Sequence, residues 1–345
     1  MAPRNRNVPK ASASSGSNYT RADMEREFPD DATCLDYLWR QNCSWDGSHA
    51  LCPKCDQARK FHRVVSRPSY SCDVCGHHLH PTAGTIFHKS STGLDIWFRA
   101  IFLMSSTRCG TSAKQLEREL GVTYKTAWRM ANLIRNQLME QDPDLVLGDR
   151  VEMDETYWGG KARASDRRKW NDPRRTTVAQ AQSWAAEKKT PVFGMVERNR
   201  RLFEDGRTRP VILEHGQVAA WVVPKEILHT TITDKVADHL KSGASIYTDD
   251  SRLYDRASLG GDHLRYKIAH SRGSYVNDHI HTQQIEGFWS LLKRGLHGAH
   301  HSVSEKWMQG YVNEYVYRYN HRADLEPMFK SLLASSARRR GLAAS

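Results

Sequence analysis

A chain of 345 residues, 39% of them hydrophobic and 26% charged, is long enough for two or three domains with sizeable cores and too apolar to be disordered throughout. Its 51 Lys and Arg outweigh 39 Asp and Glu to give a net charge of +12, which argues for a polyanionic partner, above all nucleic acid. No apolar run approaches the ~18 residues of a membrane helix and no apolar signal core precedes the first charged stretch, so the expectation is a cytoplasmic protein, nucleoid-associated in a bacterial cell.

Residues 1–19 are basic, Ser-rich and almost without large apolar side chains. Such a segment buries too little surface to offset the entropy of ordering, and a disordered basic arm is expected over 1–30. Leu35, Leu38 and Trp39 then fit a short amphipathic helix beginning near Asp30, Asp31 or Thr33. Cys52-Pro-Lys-Cys55 and Cys72-Asp-Val-Cys75 follow, two C-x-x-C knuckles sixteen residues apart. Each knuckle is a tight turn that aims two sulfurs at one point, so the four thiolates predict tetrahedral Zn²⁺ with no open position, a folding staple rather than a catalyst. Arg63 to Val65 and Ser69 to Ser71 supply the strands of a zinc ribbon that, with the preceding helix, spans 31–90. Of the seven cysteines, Cys34, Cys43 and Cys109 are left over. They read as buried thiols, with Cys43 a weak spare ligand, and His62, His77, His78 and His80 read as surface or outer-sphere residues beside a complete set.

From Leu94 to Leu138 the pattern is helical: Ile96, Trp97, Ala100, Ile101 and Met104 keep a helical period, and Gly110 stops the first helix. Ser112 to Leu120, the Gly121 turn and Tyr124 to Leu138 have the spacing of a helix-turn-helix, whose second helix enters a major groove with its N-terminal residues. Over 91–145 this predicts a DNA-binding region in which Tyr124, Lys125, Thr126 and Arg129 face bases or phosphates; the bland alternative is a plain helical hairpin.

Past Asp142-Pro143-Asp144 the reading changes to strands at Val151 to Trp158, Val192 to Glu197, Val218 to Val223, Ser245 to Thr248 and His263 to Ala269. Helices are expected at Ile227 to Leu240 and Ser251 to Leu259, so the segment 146–325 is an α/β domain. Residues 159–190 read as a basic loop that tracks phosphates. His281 to Arg294 reads as a helix with Ile285, Phe288, Trp289 and Leu292 on a buried stripe and Glu286 and Lys293 two turns apart on another face. Val303 to Tyr319 is a further buried-face helix, and 326–345, with Arg338 to Arg340, is a frayed basic tail.

Asp154 and Asp249 each end a strand and Glu286 enters from the helix, which brings three carboxylates to one end of the sheet. Carboxylates crowd only around a cation. Two Mg²⁺ or Mn²⁺ ions roughly 3.5 to 4 Å apart would neutralise the attacking and leaving oxygens of a phosphodiester. Glu155 and Asp250 are adjacent, but strand neighbours point to opposite faces, which makes them weaker candidates.

Met153-Asp154-Glu155-Thr156-Tyr157 with Gly159-Gly160-Lys161, then Tyr247-Thr248-Asp249, then His281-Thr282-Gln283 with Ile285-Glu286-Gly287-Phe288-Trp289 and Leu292-Lys293-Arg294, resemble the DDE-type transposases of the IS1595 group, ISXO2-like and related to IS1016 and the eukaryotic Merlin elements. Thr85-Ile86-Phe87, Trp97-Phe98, Gln115-Leu116 and Lys125 to Met130 resemble that group's zinc-ribbon and helical region, so the similarity runs from about residue 33 to 322. The resemblance implies an RNase H-like catalytic domain, divalent metal, and binding of terminal inverted repeats followed by end cleavage and strand transfer within a homo-oligomeric synaptic assembly. Many bacterial members carry Asn where this chain has Gln283; Glu286 is taken as the third carboxylate and Gln283 as an accessory. Lys293 would hold a phosphate near the scissile bond, Arg294 would touch DNA, His281 would order the helix start or touch DNA, and Trp289 belongs to the core. Two rival readings share parts of this pattern. One is a non-catalytic DNA-binding regulator or domesticated transposase built on ribbon and helix-turn-helix alone. The other is a standalone RNase H-like nuclease.

Overall fold

The computed structural model describes residues 18–107, 109–159, 189–202, 211–224, 229–255, 262–268 and 281–337. The basic loop expected over 159–190 and the Arg338 to Arg340 run lie almost wholly outside them. The chain forms two compact units, Met1–Met139 with His321–Ser345, and Glu140–Asn320.

In the first unit, α1 (Arg21–Glu27) is opened by Thr20, whose side chain accepts from Asp23 N–H while the Asp23 carboxylate accepts from the Thr20 backbone. This reciprocal cap, together with burial of Met24 and Phe28 one turn apart, makes the described part of the arm expected to be disordered over 1–30 a capped and packed helix, with Tyr19 before it stacked on Phe329. Asp30 caps α2 (Asp31–Asn42) by accepting from Thr33 N–H. The ribbon is a four-stranded antiparallel sheet in the order β1 (His49–Cys52), β2 (Gln57–Val64), β3 (Ser69–Cys72), β4 (His78–Leu79). It is held to α2 by Trp39, which is fully buried and stacks on Tyr70 with ring centroids 4.1 Å apart. Three helices follow, α3 (Leu94–Ser106), α4 (Ala113–Leu120) and α5 (Tyr124–Leu133), the last continuing through a π-turn to Leu138.

In the second unit, five strands form one sheet in the order β11-β10-β5-β6-β9: β5 (Arg150–Trp158), β6 (Thr190–Glu197), β9 (Val218–Val222), β10 (Ser245–Asp249) and β11 (Leu264–Ile268). β5, β6 and β9 are antiparallel, whereas β10 runs parallel to both β5 and β11. A small hairpin, β7 (Arg200–Leu202) with β8 (Val211–Glu214), sits between β6 and β9 in sequence. On one face α6 (His229–His239) buries Ile232 and Val236 against Val151, Met153, Phe193, Met195 and Ile246. On the other, α7 (Gln283–Gly295) and α8 (Glu305–Asn320) bury Ile285, Phe288, Trp289, Leu292, Val312 and Tyr315 against Val192, Val196 and Ala220. Strand side chains alternate between these two cores with the period of two that the pleat dictates. Of the helix expected at Ser251 to Leu259, the described residues show only a 3₁₀ turn at Arg252–Tyr254. Among the described residues no helix is long and apolar enough to cross a membrane.

The outer edge of β9 would present unpaired backbone groups, yet three side-chain amides occupy it. Asn320 accepts from Val218 N–H and donates to Val218 O. Gln141 does the same for Ala220, and Gln309 accepts from Val222 N–H. Amides thus stand in for a sixth strand and close the edge against pairing with another chain.

The chain then returns to the first unit with α9 (Met328–Ala337), which packs on α3 and α2 and buries Phe329, Leu332 and Leu333. Phe329 meets the rings of Phe28, Phe98 and Phe102 at centroid distances of 5.9, 6.4 and 5.7 Å. The expected frayed tail over 326–345 is therefore a core helix as far as Ala337, because its apolar residues recur at helical spacing.

Asn320→Leu should leave the N–H and C=O of Val218 unmet at a cost of about 2 kcal/mol. The expected outcome is a lower urea midpoint for the second unit and concentration-dependent light scattering, measured on the full chain.

Candidate active site and metal centre

Register places the acids. β10 pairs with β5 through Ser245↔Arg150, Ile246↔Val151 and Tyr247↔Glu152. Two residues beyond that last pair stand Asp249 and Asp154, level with each other and, by the pleat, on the face that α7 covers. Asp154, expected to end its strand, instead sits mid-β5, opposite Gly194 of β6, because the pairing with β6 continues to Trp158. A Cβ built on Gly194 would meet the Trp289 ring at 2.6 Å, so only glycine lets the indole settle there. From that position Trp289 Nε1 donates to Asp154 Oδ2 at 3.0 Å.

Burial, and then repulsion from Glu155 and Asp249, push the Asp154 carboxyl up to about 7. Glu155, expected to be the weaker neighbour, lines the same cavity as Asp154; burial also raises it, while the Tyr254 hydroxyl, donating to its Oε2, pulls the other way. Arg265, its side chain 5% exposed, holds the chain just past β10 by donating to Thr248 Oγ1, to the carbonyls of Asp249 and Ser251, and to Asp255. Asp249 Oδ1 itself accepts from Ser251 N–H.

α7 brings the remaining groups. A cavity of about 620 Å³ is lined by Asp154, Glu155, Thr156, Glu286, Trp289, Ser290, Lys293, Arg294 and His297. The geometry therefore draws Asp154, Glu286, Lys293 and Arg294 together, with Asp249 in electrostatic reach of Asp154. Gln283, exposed at the first position of α7, does not line this cavity. Glu286 Oε1 accepts from the Thr282 hydroxyl at 2.9 Å.

Sequence reasoning passed over Glu152. Its carboxyl is fully buried, which pushes its pKa up, and Arg198 and the backbone N–H groups of Ile285 and Gln284 draw it back. A second signal was available in the sequence: acids at 152 and 154 share one face of β5. His281 Nδ1 lies 3.2 Å from Glu152 Oε1, which puts His281 against the start of α7.

In the first unit the four sulfurs of Cys52, Cys55, Cys72 and Cys75 all lie within 4.8 Å of one another, with Cys52 to Cys75 at 3.6 Å and Cys55 to Cys72 at 4.0 Å. A tetrahedron with zinc–sulfur bonds of ~2.3 Å has edges of ~3.8 Å, so the cluster fits zinc. The His77 backbone N–H lowers the Cys75 thiol to about 7, favouring the thiolate a metal needs. Of the three remaining thiols, Cys34 is buried as expected, but Cys43 is half-buried and Cys109 exposed.

The α4–turn–α5 segment has the caps that a helix-turn-helix requires. Ser112 accepts from Gln115 N–H, Gly121 ends α4 at φ +65°, and Thr123 accepts from Thr126 N–H to start α5. Leu116, Ala127, Met130 and Ala131 turn inward, which leaves Tyr124, Lys125 and Arg129 exposed at the start of α5 and Thr126 half-exposed. Lys114 Nζ lies 5.4 Å from the Tyr124 ring centroid.

Two comparisons bear on these sites. Residues 146–320 match the family model described as the ISXO2-like transposase domain. Over 274 residues the chain is 28% identical to an uncharacterized protein in transposable element ISH50 of Halobacterium salinarum, an alignment that covers 77% of this chain and 84% of that protein.

Purified protein should carry one zinc per chain by elemental analysis, and Cys72→Ser should lose it together with the thermal transition of the first unit. Gly194→Ala forces a methyl group into the Trp289 ring and should destabilise the second unit by about 1 to 3 kcal/mol in chemical denaturation.

Proposed function

We propose, since the chain belongs to the ISXO2-like transposase family, that it binds the terminal inverted repeats of an insertion element and catalyses divalent-metal-dependent end cleavage and strand transfer. The sheet order β11-β10-β5-β6-β9, three antiparallel strands with two parallel strands added beside the first, supports an RNase H-like catalytic domain over 146–325. The ribbon of 31–90 and the helix-turn-helix of 91–145 supply DNA contacts, with Tyr124, Lys125, Thr126 and Arg129 at the groove.

The reading rests above all on the acids, because burial first, and then repulsion from Glu155 and Asp249, raises the Asp154 pKa, and Glu286 lines the cavity that holds Asp154 and Glu155. Asp154, Asp249 and Glu286 would hold two Mg²⁺ or Mn²⁺ ions. When bound, such ions neutralise charge on the attacking and leaving oxygens of the phosphodiester. Trp289 fixes one Asp154 oxygen and Thr282 one Glu286 oxygen, so each acid presents its other oxygen in a set direction. Lys293 and Arg294 line the same cavity and hold a non-bridging phosphate oxygen of the strand. In the first step water attacks phosphorus and the 3′-oxygen leaves, taking up a proton as a free hydroxyl at the element end. In the second that 3′-hydroxyl attacks a target phosphodiester, forming a new P–O bond as the target's own 3′-oxygen departs. Joining two ends calls for a homo-oligomeric synaptic complex.

The test is a labelled duplex bearing the element's own end, incubated with full-length protein, Mg²⁺ and a supercoiled target. Wild type should give joined products. Asp154→Asn, Asp249→Asn and Glu286→Gln should each reduce joining by more than the roughly ten- to hundredfold typical of outer-sphere partners, with binding of the end retained, and Gln283→Ala should have a smaller effect. Specific binding by wild type without cleavage in Mg²⁺ or Mn²⁺ would instead establish the regulator, and cleavage without joining the nuclease.

A further inference from the structure

An α-helix leaves its first N–H groups unpaired, and the residue before the helix ordinarily caps them with its own side chain. Thr282 stands at that position of α7 and makes no such cap. Its hydroxyl donates instead to Glu286 Oε1 at 2.9 Å. The cap comes from another element: Glu152 Oε2, on β5, accepts from Gln284 N–H at 2.8 Å and Ile285 N–H at 3.1 Å. Glu152 Oε1 is taken by Arg198 Nε at 2.8 Å. The Arg198 guanidinium also donates to the His281 carbonyl and lies 3.5 Å above the Tyr247 ring, two residues before Asp249 on β10.

We propose that Glu152 is a positioning residue for the metal site. Its carboxylate, locked by Arg198, pins the start of α7 to β5 and releases Thr282 to orient Glu286. The clamp touches each element that carries a proposed ligand: β5 with Asp154, β10 with Asp249 through Tyr247, and α7 with Glu286. A buried carboxylate and guanidinium are costly, and well-packed apolar replacements commonly match or exceed them in stability. Fold stability therefore gives no sufficient reason for the pair, whereas geometry at the acids does. The helix N-terminus adds a favourable partial charge to the same carboxylate.

This proposal rests on the metal-site reading above, and its test separates the two. Mn²⁺ binding to the full chain without DNA is followed by electron paramagnetic resonance for wild type, Asp154→Asn, Glu152→Gln and the apolar double variant Glu152→Leu/Arg198→Met, each checked for a cooperative thermal transition. The Mg²⁺ concentration for half-maximal end cleavage is measured alongside. The expected result is a wild-type site abolished by Asp154→Asn and weakened about ten- to hundredfold in both Glu152 variants, the range for groups that orient metal ligands, with the Mg²⁺ requirement rising in parallel. A folded double variant that binds Mn²⁺ and cleaves at wild-type Mg²⁺ concentrations would overturn the positioning role while leaving the metal site standing. Wild-type binding indifferent to Asp154→Asn would overturn the metal site itself, and the positioning role with it.

Discussion

Strand β5 carries two carboxylates, Glu152 and Asp154, two residues apart on its helix-facing side, and a buried carboxylate demands donors. Glu152 meets the demand with the N-terminus of α7 and a guanidinium, and Asp154 meets part of it with an indole N–H. Both sets of donors come largely from one helix, so satisfying the strand fixes where that helix lies and how it is turned about its axis. The buried stripe of Ile285, Phe288, Trp289 and Leu292 packs the helix onto the sheet, but packing alone tolerates sliding. Directional hydrogen bonds at Glu152 and Asp154 remove that freedom. Asp154 remains under-compensated, with its pKa raised, beside two more acids. Such a residue of uncompensated charge is costly to an isolated fold and useful to one that takes up cations.

The same economy governs the far side of the sheet. A parallel strand, β10, is added beside β5, and beyond the paired register its chain departs with Asp249 at the point of divergence. Arg265 on β11 grips that departing chain by its carbonyls, so the position of Asp249 is set from the neighbouring strand as well as by its own turn with Ser251. At the opposite edge the amides of Gln141, Gln309 and Asn320 give β9 the hydrogen bonds of a neighbour without the liability of a template.

Periodicity made the large elements legible. The strands from Val151 onward, the helical run from Leu94 and the stripe around Trp289 are local patterns of period 2 or 3.6, and the thiolate quartet is announced by its spacing. What escaped notice depends on partners distant in sequence. Nothing near Glu152 says that Ile285 N–H will reach it, and nothing near Arg265 names Asp249. Glu155 was set aside by the pleat rule, and its carboxyl is indeed held by Tyr254 of the opposite core, yet the residue lines the same cavity as Asp154 and its charge helps to raise the Asp154 pKa. At the two ends composition misled. Basic and small residues around Met24 and Phe329 mask apolar positions that make sense only when each is seen to bury against the other's neighbours.

The first unit is assembled from both ends of the chain, with the second unit inserted between Met139 and His321. During synthesis the ribosome therefore delivers α1 to α5 first and withholds α9, whose Phe329 joins their aromatic cluster, until the inserted unit has been made. A chain that stops short of α9 lacks one ring of that cluster, so the contacts of Phe28, Phe98 and Phe102 with Phe329 close only after the whole of the inserted unit has been made.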